Sequence, residues 1–164
     1  MVALTNWESL ERLAVALLLG ALLGIERELR DKPAGLRTYA LVCEGSALFM
    51  MGSLLLGQAV HAAGGTGYDP SRIGSTIVQG IGFLAGGVIL ARGTHVRHLT
   101  TAAGIWVTAA IGLLVGAGFF FLAIAATIAT IIVLVPLRWV EEHLARGSTD
   151  ETPPASPSSG ASLE

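Results

Sequence analysis

Five long apolar runs leave this 164-residue chain few ways to fold. A helix that crosses a bilayer needs roughly 20 mostly apolar residues. Runs of that kind cover about 7–25, 38–60, 70–92, 100–116 and 119–137. In lipid every backbone N–H and C=O must be bonded within the protein, which favours helices. The expected architecture is an all-α integral membrane bundle of five transmembrane helices, in one domain over 1–146. The chain is 52% apolar and only 13% charged, with a mean hydropathy of +0.68, and the lipid bilayer is its expected surrounding.

Charge sets an orientation. Arg27, Arg30, Lys32, Arg37, Arg92, Arg97, Arg138 and Arg146, 8 of the 10 Lys and Arg, fall on one side of the five runs, against Arg12 and Arg72 on the other. Cytoplasmic loops are enriched in Lys and Arg, so the N-terminus is expected outside and the C-terminus in the cytoplasm. Trp7 and Trp139 suit the two aromatic belts. Glu8 and Glu11 precede Arg12, which is unlike the basic start of a secretory signal, so the first run is expected to remain as a helix. The net charge of −2, without a basic cluster on a soluble face, argues against nucleic acid as a partner. Residues 147–164, rich in Ser, Pro and Gly, are expected to form a disordered tail.

Helix starts are written in polar residues. Asp69-Pro70 reads as a cap followed by a first-turn proline, and Thr100-Thr101 as a second capping pair. Small residues then recur at helical spacing, as Ala16, Gly20 and Gly24, as Val78, Gly82 and Gly86, and as Gly104, Thr108, Gly112 and Gly116. Such stripes let helices approach closely in lipid, either within the chain or across a dimer face.

Polar residues within a bilayer are candidate sites. Glu44 lies six residues past Thr38, about 9 Å along the helix. It reads as a proton or cation site, or as a partner of Arg37 or Arg92. In ERELRDK, Glu26 with Arg30, Arg27 with Asp31, and Glu28 with Lys32 all stand i, i+4 with opposite signs. They form a surface ion-pair ladder or, alternatively, a carboxylate mouth for hydrated Mg²⁺, which keeps several waters and takes one or two carboxylates. Metal ligation therefore falls to Glu26, Glu28 and Glu44. Asp69 and Arg72 mark the outer interface, and Gln79 within the third run must find a partner helix or a polar cavity. The lone Cys43 forms no intrachain disulfide, and no zinc spacing surrounds His95 and His98. With no nucleophile-and-base set and no cofactor fingerprint, neither an enzyme nor a cofactor is expected.

These punctuation marks resemble the MgtC/SapB membrane proteins of bacteria. The similarity rests on Gly24 to Glu28, on AGLRT at Ala34 to Thr38, on DPSRI at Asp69 to Ile73, and on LTTAA at Leu99 to Ala103. The resemblance implies a bacterial inner-membrane protein linked with growth at low magnesium and, in pathogens, with survival in macrophages. It also raises the standing of Glu26, Arg27, Glu28, Arg37, Asp69, Arg72, Thr100 and Thr101. A soluble C-terminal domain carried by several members is not expected, and Glu44 stands where the family pattern is apolar. Two roles follow as expectations. One is magnesium homeostasis with Mg²⁺ transport, by way of a homodimer. The other is regulation of a membrane ATPase or another membrane partner through glycine-rich helix faces.

Overall fold

The computed structural model describes residues 4–92 and 95–135, and forms five helices and one two-stranded hairpin. Helix α1 (Asn6–Glu28) opens with a capping box. Thr5 Oγ1 accepts from the Glu8 amide at 3.2 Å, while Glu8 Oε2 accepts from the Thr5 amide at 2.8 Å. Helix α2 (Leu36–Ala62) and helix α4 (Leu99–Ala117) are long and apolar enough to cross a membrane. Helix α3 (Ser71–Val88) is separated from α4 by β1 (Leu90–Arg92) and β2 (His95–Arg97), paired antiparallel with Leu90 opposite Arg97 and Arg92 opposite His95. Helix α5 (Phe120–Leu134) is a shorter apolar helix.

The chain divides into two units, Met1–Ile131 and Ile132–Glu164. Of the second, the described part is the last turn of α5 and Val135. The expected fifth span to residue 137, Arg138, Trp139, Arg146 and the 147–164 tail extend outside the described residues.

Glycine sets which helices meet and how they run. A β-carbon at Gly24 would lie 2.6 Å from Leu36 Cα, and one at Gly20 would lie 2.6 Å from the Tyr39 carbonyl oxygen. Later residues of α1 thus meet earlier residues of α2, so the two helices are antiparallel. On α4, a β-carbon at Gly104 would strike the Tyr39 hydroxyl, one at Gly112 the Cys43 carbonyl, and one at Gly116 would lie 2.6 Å from the Ala47 carbonyl oxygen. Position rises on both helices together, so α4 is parallel to α2. Helix α3 rests mainly on α4, where Gly74 faces Leu113. The buried core follows the three-helix contact, with Ala16, Leu23, Tyr39, Cys43, Ala47, Ile111 and Val115 at its centre.

Three boundaries differ from the sequence expectation. The third helix stops at Val88 instead of near Arg92, because the Gly86-Gly87 pair is followed by Val88 and Ile89, and Ile89 turns extended with ψ 123°. Pro70 occupies the N-cap position and not the first helical one, while the Asp69 carboxylate caps the start by accepting from the Ser71 amide at 2.9 Å. The Thr100-Thr101 pair does not cap α4. His98 precedes that helix in the left-handed region with φ 69°, and Thr101 is buried within the first turn.

Candidate functional site

The glycine contacts bring the end of α1, the start of α2 and the start of α4 to one end of the bundle, and the polar residues gather there. Arg27 is 3% exposed, and its Nε donates to Glu26 Oε2. Arg30 Nε approaches the other carboxylate oxygen of Glu26 at 2.8 Å. That oxygen, Oε1, is buried and accepts no hydrogen bond of good geometry among the described residues, so the Arg30 contact is an ion pair only. One carboxylate thus faces two guanidinium groups. Glu28 Oε2 accepts from the Leu36 amide at 3.0 Å and so caps the free first turn of α2 from across the connection. A β-carbon at Gly35 would meet that carboxylate, which would have to swing aside. Deeper in, the Tyr39 hydroxyl donates to the Thr101 carbonyl oxygen at 3.3 Å and ties α2 to α4.

The expected ion-pair ladder is therefore realised at one rung. Glu26 meets Arg30, but Arg27 turns to Glu26 instead of Asp31, and Glu28 turns to Leu36 instead of Lys32. The physical reason is helix termination: α1 ends at Glu28, and Asp31 takes φ 50°, so i, i+4 spacing no longer stacks those side chains. Arg37 is exposed in the first turn of α2 and forms no ion pair among the described residues. Glu44 is half-buried on α2 and likewise has neither ion pair nor hydrogen bond among the described residues. Arg92 takes the last position of β1. Thr100 is exposed on α4. No group of three or more His, Cys, Asp or Glu suited to a metal ion occurs among the described residues.

The opposite end is built differently. Arg12 Nη1 donates to the Gly116 carbonyl oxygen at 2.7 Å, placing a cation at the carbonyl end of α4 where the helix dipole favours it. Ser53 Oγ bonds the Tyr68 hydroxyl at 3.1 Å and the Pro70 carbonyl oxygen at 3.2 Å, which fastens the α2–α3 connection. A cavity of about 370 Å³ lies here, lined in part by Arg12, Gln58, His61 and Tyr68. Asp69 accepts from the Ser71 amide and lies near Arg72, which together hold its carboxyl below the usual range.

On the flank, α3 presents its small residues outward. A β-carbon at Gly80, Gly82, Gly86 or Gly87 would meet nothing within 4 Å, and Gln79 is exposed without a hydrogen bond among the described residues. An apolar groove of about 710 Å³ separates α3 from α2, with Leu41, Phe49, Ile77 and Leu84 on its walls. Neither this groove nor the cavity beside Arg12 is lined by Glu26, Glu28 or Glu44.

Tyr39, Thr101 and Arg12 as contacts between helices were not anticipated. The available signal was weak, a tyrosine one residue past the AGLRT turn and a lone arginine within the first apolar run.

The MgtC family model matches residues 13–143. The chain is 45% identical over 127 residues to a protein of Escherichia coli (strain K12) named Putative magnesium transporter YhiD, covering 77% of this chain and 59% of that protein. It is 46% identical over 132 residues to Protein MgtC of Salmonella typhimurium, covering 80% of this chain and 53% of that one. An uncharacterised protein of Synechocystis, slr0014, is 47% identical over 133 residues, with 80% and 53% covered. The chain thus spans between half and three-fifths of the length of these curated relatives. No solved structure matches it.

Proposed function

The chain belongs to the MgtC family, and on that footing we propose that it is a non-enzymatic, multi-pass inner-membrane protein of magnesium homeostasis that regulates a membrane partner. The proposed orientation puts the Glu26–Arg27 end in the cytoplasm, where 6 of the Lys and Arg in residues 27–97 gather: Arg27, Arg30, Lys32, Arg37, Arg92 and Arg97. The observation that carries the reading is the state of the carboxylates. Glu26 is engaged by Arg27 and Arg30, which counter its charge, and Glu28 has Oε2 tied to the Leu36 amide, so a hydrated divalent cation is offered only one exposed carboxylate oxygen of this pair. Meanwhile the outward glycines of α3 and the groove beside them leave a helix face to which a partner helix, such as one of a membrane ATPase, can pack closely.

A transport reading keeps two supports. Glu44 is half-buried without a partner among the described residues, and YhiD carries a transporter's name. Under that reading Mg²⁺ is the cargo and a homodimer supplies the path. Growth of a gene-deleted strain at low magnesium separates the two. Complementation by the wild-type chain should be lost in Gly82→Leu, with the protein still folded, and kept in Glu44→Gln. The reverse pattern would overturn regulation in favour of transport.

A further inference from the structure

The cavity beside Arg12 lies apart from both the Glu26 end and the α3 flank, and its polar groups are already fixed in place. It is bordered by the start of α1, the ends of α2 and α4, and the connection from α2 to α3, with a volume of about 370 Å³. Arg12 is half-buried, and its Nη1 donates to the Gly116 carbonyl oxygen at 2.7 Å. A guanidinium carries N–H donors on each of its nitrogens. The Gly116 bond is the one hydrogen bond Arg12 makes among the described residues, and it forms no ion pair there. The edge with Nε and Nη2 is left over, the fork that binds a carboxylate or phosphate by paired, charge-assisted hydrogen bonds.

Another wall is equally fixed. The Tyr68 ring lies over Gly57, where a β-carbon would come within 2.8 Å of it, and the Tyr68 hydroxyl is held by Ser53 Oγ at 3.1 Å. Leu4, Leu54, Val60 and Ala117 add apolar surface, and His61 is the titratable group beside them. Glu8, whose carboxylate is held in the capping box, and the exposed Glu11, Asp69 and Arg72 are charges of the same end. None of these four lines the cavity. Water and salt screen exposed charges strongly and half-buried ones less, so Arg12 sets the sign of the charge a ligand must bring. Size limits the ligand further. Cavities that hold small organic molecules run from about 300 to 1,000 Å³. An inorganic ion would leave the apolar walls uncovered here, and a diacyl lipid would not fit.

We infer that this cavity is a binding site for a small organic anion, a carboxylate or phosphate on a short apolar body, with Arg12 as its anchor and Leu54, Val60 and Tyr68 against its apolar part. The site lies at the end of the bundle away from Glu26 and is independent of whether the chain regulates or transports.

The test is isothermal titration calorimetry of the full chain in phosphatidylcholine nanodiscs, with empty nanodiscs as blank, titrated with hexanoate, with neutral hexanamide and with inorganic phosphate. A hydrogen bond to a charged group is worth on the order of tenfold in affinity. Hexanoate should therefore bind about tenfold more tightly than hexanamide, and inorganic phosphate should not displace it. Arg12→Gln should bring the two organic probes to parity, Arg12→Lys should keep part of the difference, and Arg72→Gln should keep all of it. If Arg12→Gln does not fold, Leu54→Trp, which fills the cavity and leaves Arg12 on Gly116, should abolish hexanoate binding. At high salt, which screens the lipid surface, replacing phosphatidylcholine by phosphatidylglycerol should leave hexanoate affinity unchanged. No hexanoate binding to the wild type, or undiminished binding in Arg12→Gln or Leu54→Trp, overturns the site. So does an equal loss in Arg72→Gln, which means diffuse charge, displacement by inorganic phosphate, which means a simple anion, or competition by phosphatidylglycerol, which means a lipid headgroup.

Discussion

The seam that α2 makes with α1 and α4 and the outer flank of α3 are both rich in glycine, yet they use it in opposite ways. At the seam each missing side chain is a contact: backbone of α2 fills the space over Gly20, Gly24, Gly112 and Gly116, and the Tyr39 ring system fills it over Gly104. On α3 the space over Gly80, Gly82, Gly86 and Gly87 is empty among the described residues. Small residues at helical spacing permit close approach but do not say to what. The seam therefore holds the fold together, while the flank is available for something outside the chain.

That contrast is open to direct attack, and the strongest blow falls on the charged end of the seam. Glu26→Ala leaves Arg27, almost wholly buried, without its carboxylate. Removing one member of a buried pair costs about 3–5 kcal/mol, so thermal unfolding in detergent should shift down sharply. Next comes Gly112→Ala, whose added methyl meets the Cys43 carbonyl within the backbone of α2. It should destabilise by about 3 kcal/mol, the upper part of the overpacking range, because backbone cannot swing aside. The matched change on the flank, Gly82→Ala, should fall within about 0.5 kcal/mol of wild type or slightly stabilise, since alanine is the better helix former. Equal losses at Gly112 and Gly82 would erase the distinction between seam and flank.

The smallest effect concerns the connection between α2 and α3. Asp69 is fully exposed, and its carboxyl is held below the ordinary range first by its hydrogen bonds with Ser71 and then by Arg72. A lowered folded-state value stabilises above the ordinary Asp value of about 3.9 and is lost as pH falls through the folded value. Protection of the Ser71 amide, taken relative to its intrinsic exchange rate, should therefore fall below about pH 4 in wild type. Asp69→Asn should remove that pH dependence.

Much of the scaffold was legible because the signals were long. Five apolar runs gave five helices, and the ends of α2, α4 and α1 fell within three residues of their expected positions. The hairpin was not legible. Its strands are three residues each, below the length at which alternation can be distinguished from a loop. In the charged cluster the residue list was readable and the pairing was not. Spacing arguments assumed that the helix continued through Asp31, while the chain leaves it at Glu28. Whether a glycine stripe is packed or open also depends on tertiary neighbours, which no periodicity contains. Glu44 was readable from its position alone, an acid within an apolar run, and it remains the residue on which transport would turn.

Mg²⁺ uptake into proteoliposomes bearing the purified, folded chain tests the central claim most directly, with empty vesicles and the Glu44→Gln variant alongside. A regulator whose Glu26 is already countered by two arginines gives no uptake above empty vesicles, in wild type and variant alike. Uptake that requires the protein and falls in Glu44→Gln would contradict that account and put Glu44 on a conducting path.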